Sequence, residues 1–230
     1  MAASPDMSLM MAVYDGCFTR ARAALQAGAN VNGRPGEKSA PIVLATVADQ
    51  PAMIMYLIGR GADPDGPIFE YLAHPHPTED NSFGLPGERA LHMAAKSGKV
   101  ELVSLLLGLT RADPNAPDNK GGTPLMAVCS CQHASVEAVV RLLLEAGADP
   151  TLAQTDGYGP LHAVAVKGKI DVVDLLLSRA PSTLNRCSRD GASPLFVACT
   201  VGRERMVSKL LSRGALQLIP GDSTRCYPLV

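Results

Sequence analysis

Short apolar segments alternate with polar turns along this chain, and their order repeats at a regular interval. A leucine or isoleucine, in most cases directly after a proline, opens such a segment at Leu9, Ile42, Leu91, Leu125, Leu161, Leu195 and Leu229. The interval is about 33 residues in most cases, and a period of this length is typical of stacked repeat proteins. The pattern therefore predicts an all-α solenoid of stacked helix-turn-helix units.

The clearest unit lies between Gly121 and Pro150. Thr123 is placed to cap a first helix, and Pro124 suits the first helical position because its missing N–H breaks no helical hydrogen bond. The second helix carries the run Leu142–Leu144, which is too apolar for one buried face, so neighbouring units must cover both sides. In four repeats a glycine suited to a helix end follows the opening leucine by about seven residues: Gly16, Gly98, Gly168 and Gly202.

The connections between units are rich in Asn, Asp and Gly, as in residues 116–121 and 154–157. These residue types favour tight turns, because Gly accepts a positive φ and Asn or Asp can bond to its own turn. We therefore expect projecting hairpin-like fingers between successive helix pairs.

The composition is 47% hydrophobic and only 4% aromatic, without tryptophan, which suits a core of Ala and Leu in short stacked helices. The N-terminus has no basic segment followed by an apolar run, and no apolar stretch reaches membrane-spanning length. The six cysteines are scattered with the repeat, which indicates reduced thiols. We expect a protein of the cytoplasm or nucleus that does not contact a membrane.

Candidate chemistry is sparse. Cys129, Cys131 and His133 lack a second pair of ligands nearby in sequence, so no metal site is predicted. His92 and His162 have no nucleophile placed beside them, so we expect no catalytic residues and no enzyme activity. No phosphate-binding loop or other cofactor motif occurs, and no cofactor is expected.

Charge is unevenly distributed. Residues 1–178 hold 13 Lys and Arg against 19 Asp and Glu, whereas residues 179–230 hold 8 against 3. The basic last stretch either solvates helix faces and turn tips or meets an acidic partner. Nucleic-acid binding is not expected, because no aromatic residues are interleaved with these charges.

The largest departure from the period is an insertion at residues 66–86. It holds Phe69, Tyr71 and Phe83, three of the nine aromatic residues of the chain. Insertions in repeat proteins map to loops, often on the binding face, and aromatic residues are frequent interface anchors. Two interpretations stay open, a recognition finger and a segment that folds back to cover the edge between repeats.

Two smaller departures follow. The fourth repeat has three extra residues near Cys131, Gln132 and His133, which predicts a local bulge between its helices. Tyr227-Pro228-Leu229-Val230 falls in register and predicts the start of a seventh repeat. It indicates either an excerpt of a longer protein or a partial repeat that covers the last helices.

The units resemble ankyrin repeats. The family motif Thr-Pro-Leu-His-x-Ala appears in parts, as Thr123-Pro124-Leu125 and Gly159-Pro160-Leu161-His162, and the terminal signature appears as Gly28-Ala29-Asn30-Val31-Asn32. The resemblance implies structural hydrogen bonds from His92 and His162 to neighbouring turns. It also implies a non-enzymatic module that binds a partner protein through its concave face and finger loops.

The expected organisation is an N-terminal tail at 1–6 and one array at 7–230, with about six repeats, the start of a seventh and the loop insertion, acting as a monomer. The alternative is the targeting or substrate-recognition arm of a larger enzyme or ubiquitin-ligase receptor that continues beyond residue 230. The expected partner-binding residues lie at finger tips and in the insertion: Asn32, Arg34, Phe69, Tyr71, Phe83, Asp118, Asn119, Lys120, Gln154, Asp156, Tyr158, Arg186, Arg189 and Asp190.

Overall fold

The computed structural model describes residues 4–33, 40–68, 87–108, 111–216, 218–220 and 226–228. The α-helices of these residues are, in chain order, α1 (Pro5–Tyr14), α2 (Phe18–Gln26), α3 (Pro41–Val47), α4 (Pro51–Ile58), α5 (Ala90–Ser97), α6 (Val100–Gly108), α7 (Pro124–Cys129), α8 (Val136–Glu145), α9 (Pro160–Lys167), α10 (Ile170–Arg179), α11 (Pro194–Thr200) and α12 (Glu204–Ser212). Each repeat contributes two consecutive helices, which confirms the predicted all-α repeat solenoid. The first helix begins at Pro5, within the segment expected to be a tail.

Two further elements of secondary structure were not predicted from the sequence. A 3-10 helix at Pro181–Asn185 follows α10. Strands β1 (Leu218–Pro220) and β2 (Cys226–Pro228) pair antiparallel and lie where earlier repeats place a finger. The start of a seventh repeat stays a prediction, because Leu229 and Val230 lie outside the described residues.

Prolines open the first helices. Pro41, Pro124, Pro160 and Pro194 each occupy the first turn of their helix, as expected of a residue without an N–H to donate. The predicted cap by Thr123 is wrong. Its backbone is extended, with φ −103°, but its Oγ1 atom is buried and bonds to no described group. The start of α7 therefore depends on its proline.

The predicted glycines end the first helices in a left-handed conformation. Gly168, the C-cap of α9, has a φ of 74°, and Gly16, Gly98 and Gly202 have similar values. In the second repeat Asp49 takes the corresponding position, with a φ of 57°. Aspartate is one of the few side chains that tolerate this region, so the turn is preserved without glycine.

The chain divides into two compact units. The first comprises Met1–Ala94 and Glu101–Asn119. In it α1 packs on α2 and α3, and α3 packs on α4. Its largest fully buried side chains come from both helices of a repeat and, in one case, from the base of the insertion: Leu9, Ile42, Met53, Ile54, Leu57, Ile68, Leu91, Leu102 and Leu106.

The second unit comprises Ala95–Val100 and Lys120–Val230. Its first helices α7, α9 and α11 pack in sequence, and its second helices α8, α10 and α12 do the same. Leu125, Leu143 and Leu176 are fully buried between them. Burial of one such leucine contributes about 1.5–3 kcal/mol, so neighbouring repeats depend on one another for stability.

The base of the large insertion is a short antiparallel ladder. Pro67 and Arg89 form an isolated bridge. The Ile68 N–H donates to the Glu88 carbonyl at 2.7 Å, and the Gly87 N–H donates to the Ile68 carbonyl at 2.8 Å. The rest of the insertion, including Phe69, Tyr71 and Phe83, lies outside the described residues.

The predicted bulge in the fourth repeat is present. Helix α7 ends at Cys129 and α8 begins at Val136, whereas α9 and α10 are separated by two residues. Cys17, Cys129, Cys131 and Cys199 are reduced thiols. Cys187 is disulfide-bonded, so the expectation of a reduced thiol is wrong at this position.

Candidate binding surface at the finger tips

Three successive finger tips of the second unit are joined by backbone hydrogen bonds. The Thr155 N–H donates to the Lys120 carbonyl at 2.9 Å, and the Arg189 N–H donates to the Asp156 carbonyl at 2.7 Å. Each bond connects one repeat to the next. The tips therefore form a ladder whose side chains are held at a fixed spacing.

The tip at 154–158 is a closed turn. The Gln154 N–H donates to the Tyr158 carbonyl at 2.8 Å, and the Asp156 carboxylate accepts the Tyr158 N–H at 2.9 Å. Gly157 has a φ of 83°, and a Cβ there would lie 3.0 Å from the Arg189 nitrogen. Glycine is therefore required both by the turn and by the close approach of the next tip.

Behind this tip, His162 connects α9 to the next finger. Its Nδ1 accepts the Gly159 N–H at 3.2 Å, and its Nε2 lies 3.0 Å from the Ala192 carbonyl. Because Nδ1 accepts, the proton is assigned to Nε2, which donates to Ala192. Burial lowers the pKa of His162, so the buried ring is neutral at physiological pH.

The aromatic ring of Tyr158 packs against His162, with ring centroids 4.8 Å apart. Burial raises the pKa of the Tyr158 phenol, and the nearby carboxylates of Asp190 and Asp156 raise it further. Tyr158 is half-buried, so only part of its ring is available to a ligand.

The next tip is closed by Ser188. Its N–H donates to the Ala192 carbonyl at 3.0 Å, and its hydroxyl donates to the Asp190 carboxylate. This hydroxyl holds the pKa of Asp190 below its usual value. Arg186 donates to the Thr151 carbonyl and is otherwise exposed, as are Arg189 and Asp190.

In the first unit, Arg89 joins two neighbouring turns. Its Nε donates to the Asp65 carbonyl at 3.0 Å, and its Nη1 donates to the Pro117 carbonyl. Gly87 approaches Asn119 so closely that a Cβ would lie 2.5 Å from the Asn119 nitrogen. Sequence reasoning did not assign Arg89 this role, because nothing in a single sequence marks a surface arginine as a bridge between turns.

A second row of bonds follows the Gly-Ala-Asn or Gly-Ala-Asp signature of the first unit. Asp6 accepts the Asn30 N–H at 2.7 Å, Asn32 accepts the Asp63 N–H at 2.7 Å, and the Asp65 carboxylate accepts the Asp113 N–H at 3.2 Å. In the second unit, Asn185 accepts the Leu216 N–H at 2.8 Å. In the first unit, Asn32 and Asp65 of the signature therefore connect their repeats to the following ones, whereas the Asp6–Asn30 bond lies within the first repeat. The sequence analysis did not assign this role.

The helix pairs and the bonded turns described above are consistent with the family that the sequence matches. The family described as ankyrin repeats in three copies matches residues 65–154 and 134–218, which together cover more than half of the chain. The chain belongs to the ankyrin-repeat family. Ankyrin repeats are in general protein-interaction modules without enzyme activity, so surfaces such as the tip ladder are where function is expected.

Similar proteins span several organisms. A putative ankyrin repeat protein of Escherichia coli, YahD, is 25% identical over 188 residues, which cover 74% of this chain and 94% of the relative. An ankyrin repeat-containing protein of Schizosaccharomyces pombe is 28% identical, with 58% of each chain covered. The tyrosine-protein kinase HTK16 of Hydra vulgaris is 35% identical over 100 residues, which cover 43% of this chain and 13% of the kinase. The chain thus corresponds to a small part of the kinase and to just over half of the yeast protein.

The ankyrin fold places the predicted binding residues in different environments. Asn119, Lys120, Asp156, Arg186, Arg189 and Asp190 are exposed, whereas Asn32, Asp118, Gln154 and Tyr158 are half-buried. The amide oxygen of Asn32 is already bonded to Asp63. Arg34, like the aromatic residues of the insertion, lies outside the described residues.

The described residues contain neither a membrane-spanning helix nor a metal-binding cluster. No helix there is long and apolar enough to cross a membrane. No group of three or more His, Cys, Asp or Glu side chains in the described part of the chain is arranged to hold a metal ion.

Proposed function

We propose that this ankyrin-repeat chain is a non-enzymatic module that binds a partner protein through its finger tips and the adjoining first helices. The observation that carries the proposal is the backbone ladder through Lys120, Thr155, Asp156 and Arg189. Because backbone bonds hold the tips before any partner arrives, little conformational entropy is lost on association.

The tips also present suitable chemistry. Arg189 and Asp190 on one tip and Asp156 on the preceding tip are exposed, so charges of both signs lie along the ladder. Such an arrangement favours a partner with a complementary pattern and gives specificity more than raw affinity. Arg34, Phe69, Tyr71 and Phe83 are proposed to extend the same surface, on the sequence argument alone.

Affinity capture with a charge-reversed tip tests this proposal. The variant carries Lys120→Glu and Arg189→Glu, and its matched control carries Arg22→Glu and Arg179→Glu, two exposed residues of α2 and α10. Captured proteins are quantified by mass spectrometry against the unmodified chain, after circular dichroism has shown equal helical content. Loss of specific partners with the tip variant only is the expected result. Equal capture by all three proteins would contradict a binding role for the tips.

The insertion is tested separately. A variant in which residues 69–86 are replaced by a short Gly-containing turn keeps the Pro67–Arg89 bridge at the base. Loss of partners from this variant identifies the insertion as a recognition finger. Full retention of partners, together with a lower unfolding midpoint, identifies it as cover for the edge between repeats.

A second candidate is that the chain acts as the targeting arm of a larger enzyme. The similarity to HTK16 favours this candidate, because the name of that relative describes a tyrosine kinase. The matched segment covers 13% of the kinase. Sequencing the full-length transcript decides between the two: a catalytic domain in the same reading frame supports the arm, and a stop codon after a capping repeat removes it.

We further propose that the module is a monomer, has no nucleic-acid ligand and works in the cytoplasm or nucleus. Among the described residues, the reduced thiols of Cys17, Cys129, Cys131 and Cys199 support a reducing compartment, and the disulfide of Cys187 is evidence against it. Sedimentation at two protein concentrations tests the monomer, and imaging of a tagged chain tests the compartment.

A further inference from the structure

A basic cleft opens between the helix-to-helix turns of the fifth and sixth repeats. It has a volume of about 300 Å³ and is lined by Lys167 at the end of α9 and by Arg203, Glu204 and Arg205 at the start of α12. Helix α9 begins next to a finger tip and ends at this cleft. The cleft is therefore one helix length, about 12 Å, from the tip surface.

Arg203 is held across the end of α9. Its Nε donates to the Val166 carbonyl at 2.9 Å, and a Cβ on Gly168 would lie 3.3 Å from its Cδ. Arg203 is also the N-cap residue of α12, where its side chain forms no cap bond. Because the Arg203 side chain is already ordered, it loses less conformational entropy when a ligand binds to its guanidinium group.

The cations of the cleft lack acidic partners. Among the described residues, no ion pair involves Lys167, Arg203 or Arg205, and Glu204 is the one carboxylate that lines the cleft. By contrast, Lys209 and Arg213 of the sixth repeat both lie within 2.8 Å of the Asp174 carboxylate. The cleft thus concentrates unpaired positive charge within a basic repeat.

The charge extends toward the fourth repeat. Lys169 donates to the carbonyls of Gln132 and His133 at 3.1 and 3.4 Å, which places its ammonium group at the bulge. The corresponding turns of the first two repeats, Gly16-Cys17-Phe18 and Asp49-Gln50-Pro51, contain no Lys or Arg, whereas that of the third repeat contains Lys96 and Lys99. The positive charge is therefore a feature of particular repeats and not of every repeat in the array.

We propose that this cleft binds an acidic segment of a partner protein, with Asp or Glu side chains placed between Lys167, Arg203 and Arg205. A carboxylate there receives charge-assisted hydrogen bonds and reduces the repulsion between neighbouring cations. The volume is at the lower end of the range for ligand sites, which suits a few side chains of an extended peptide. This surface is separate from the finger tips, so it goes beyond the function proposed above.

Fluorescence anisotropy with a labelled oligoglutamate peptide tests the cleft. The full chain is compared with a Lys167→Gln, Arg205→Gln variant, chosen because neither side chain bonds to another described group. The control, Arg22→Gln with Arg179→Gln, removes two exposed charges elsewhere. An oligoglutamine peptide reports binding that does not depend on charge.

The expected result is a dissociation constant about tenfold higher for the cleft variant and within about twofold for the control, with binding weakened by salt. A Lys167→Arg variant should retain binding, and thermal melts should coincide. Equal affinity of the cleft variant and the control for the peptide would overturn the proposal. Tighter binding of an oligonucleotide of equal charge would also overturn it. So would sedimentation that shows a dimer of the unmodified chain and a monomer of the cleft variant, because a second copy would then occupy the cleft. Because tip variants leave the cleft intact, this test can fail or succeed whatever the outcome at the tips.

Discussion

The side-chain oxygen of Asn32 accepts the backbone N–H of Asp63 at 2.7 Å. One amide group thereby fixes the position of the following repeat. The same bond restricts Asn32 as a binding residue, because its acceptor oxygen is already occupied. A ligand that meets this residue can use its NH₂ group without breaking the connection between repeats.

Replacement of Asn32 should weaken the junction between the first two repeats. Asn32→Ala leaves the Asp63 N–H without its acceptor and is expected to lower the free energy of unfolding by about 1 kcal/mol in urea titrations. Asn32→Asp keeps an acceptor oxygen and should retain most of the stability. An alanine variant as stable as the aspartate variant would show that the bond contributes nothing.

Gly157→Ala should destabilise the tip ladder. The residue has a φ of 83°, and the added methyl group would approach the Arg189 nitrogen to 3.0 Å. The backbone conformation alone costs about 1–2 kcal/mol for a residue with a Cβ, and the contact adds to it. Gly214→Ala is the control, because Gly214 has a φ of 86° but no atom within 4 Å of its Cβ position. Equal unfolding midpoints for the two variants would contradict the steric part of the argument.

Stability should fall in mild acid. Burial lowers the pKa of His133 and of His162 below the ordinary value of 6.5, and the charge of Lys169 lowers that of His133 further. The unfolded chain therefore binds more protons than the folded chain below about pH 6.5. The contribution of these rings is fully present above that pH and is lost as the pH falls through their folded pKa values. Urea midpoints measured from about pH 8 to about pH 5 should decline, with a smaller decline for His133→Gln.

The cysteines should differ in their rates of alkylation. The Thr19 hydroxyl lies 3.3 Å from the Cys17 sulfur and lowers the pKa of this accessible thiol. Cys129 is fully buried, and burial raises the pKa of its thiol. Iodoacetamide labelling of the native chain, followed by mass spectrometry, should modify Cys17 first, exposed Cys199 next and Cys129 only after unfolding. Rapid labelling of Cys129 in folded protein would show that the first helix of the fourth repeat opens readily.

The helix pairs and their register could be predicted because several repeats show the same pattern of apolar and polar residues. Leu9, Ile42, Leu125 and Leu161 are all buried at equivalent positions. The helix-ending glycines could be predicted for a different reason, since a positive φ is tolerated by few other residue types. Asp49 shows that the turn is retained where the glycine is replaced.

The candidate surface was harder to derive. Finger residues were predicted from turn composition, but the bonds between tips join backbone groups, which any sequence carries. The pairing of Arg89 with Asp65 and Pro117 depends on where a long side chain reaches across adjacent turns. The Thr123 cap was predicted wrongly for a similar reason. Capping propensity states how often a threonine side chain bonds to the helix N-terminus, and it does not fix the position of this one hydroxyl group.

The short backbone ladder at the base of the large insertion allows the residues between its two ends to vary. Ile68 and Gly87 hold the two ends together through backbone bonds, whatever lies between them. Closing a loop of twice the length costs only about 0.6 kcal/mol more. Natural variation or a designed graft can therefore change the length and composition of the insertion at small thermodynamic cost, while the helical scaffold stays the same.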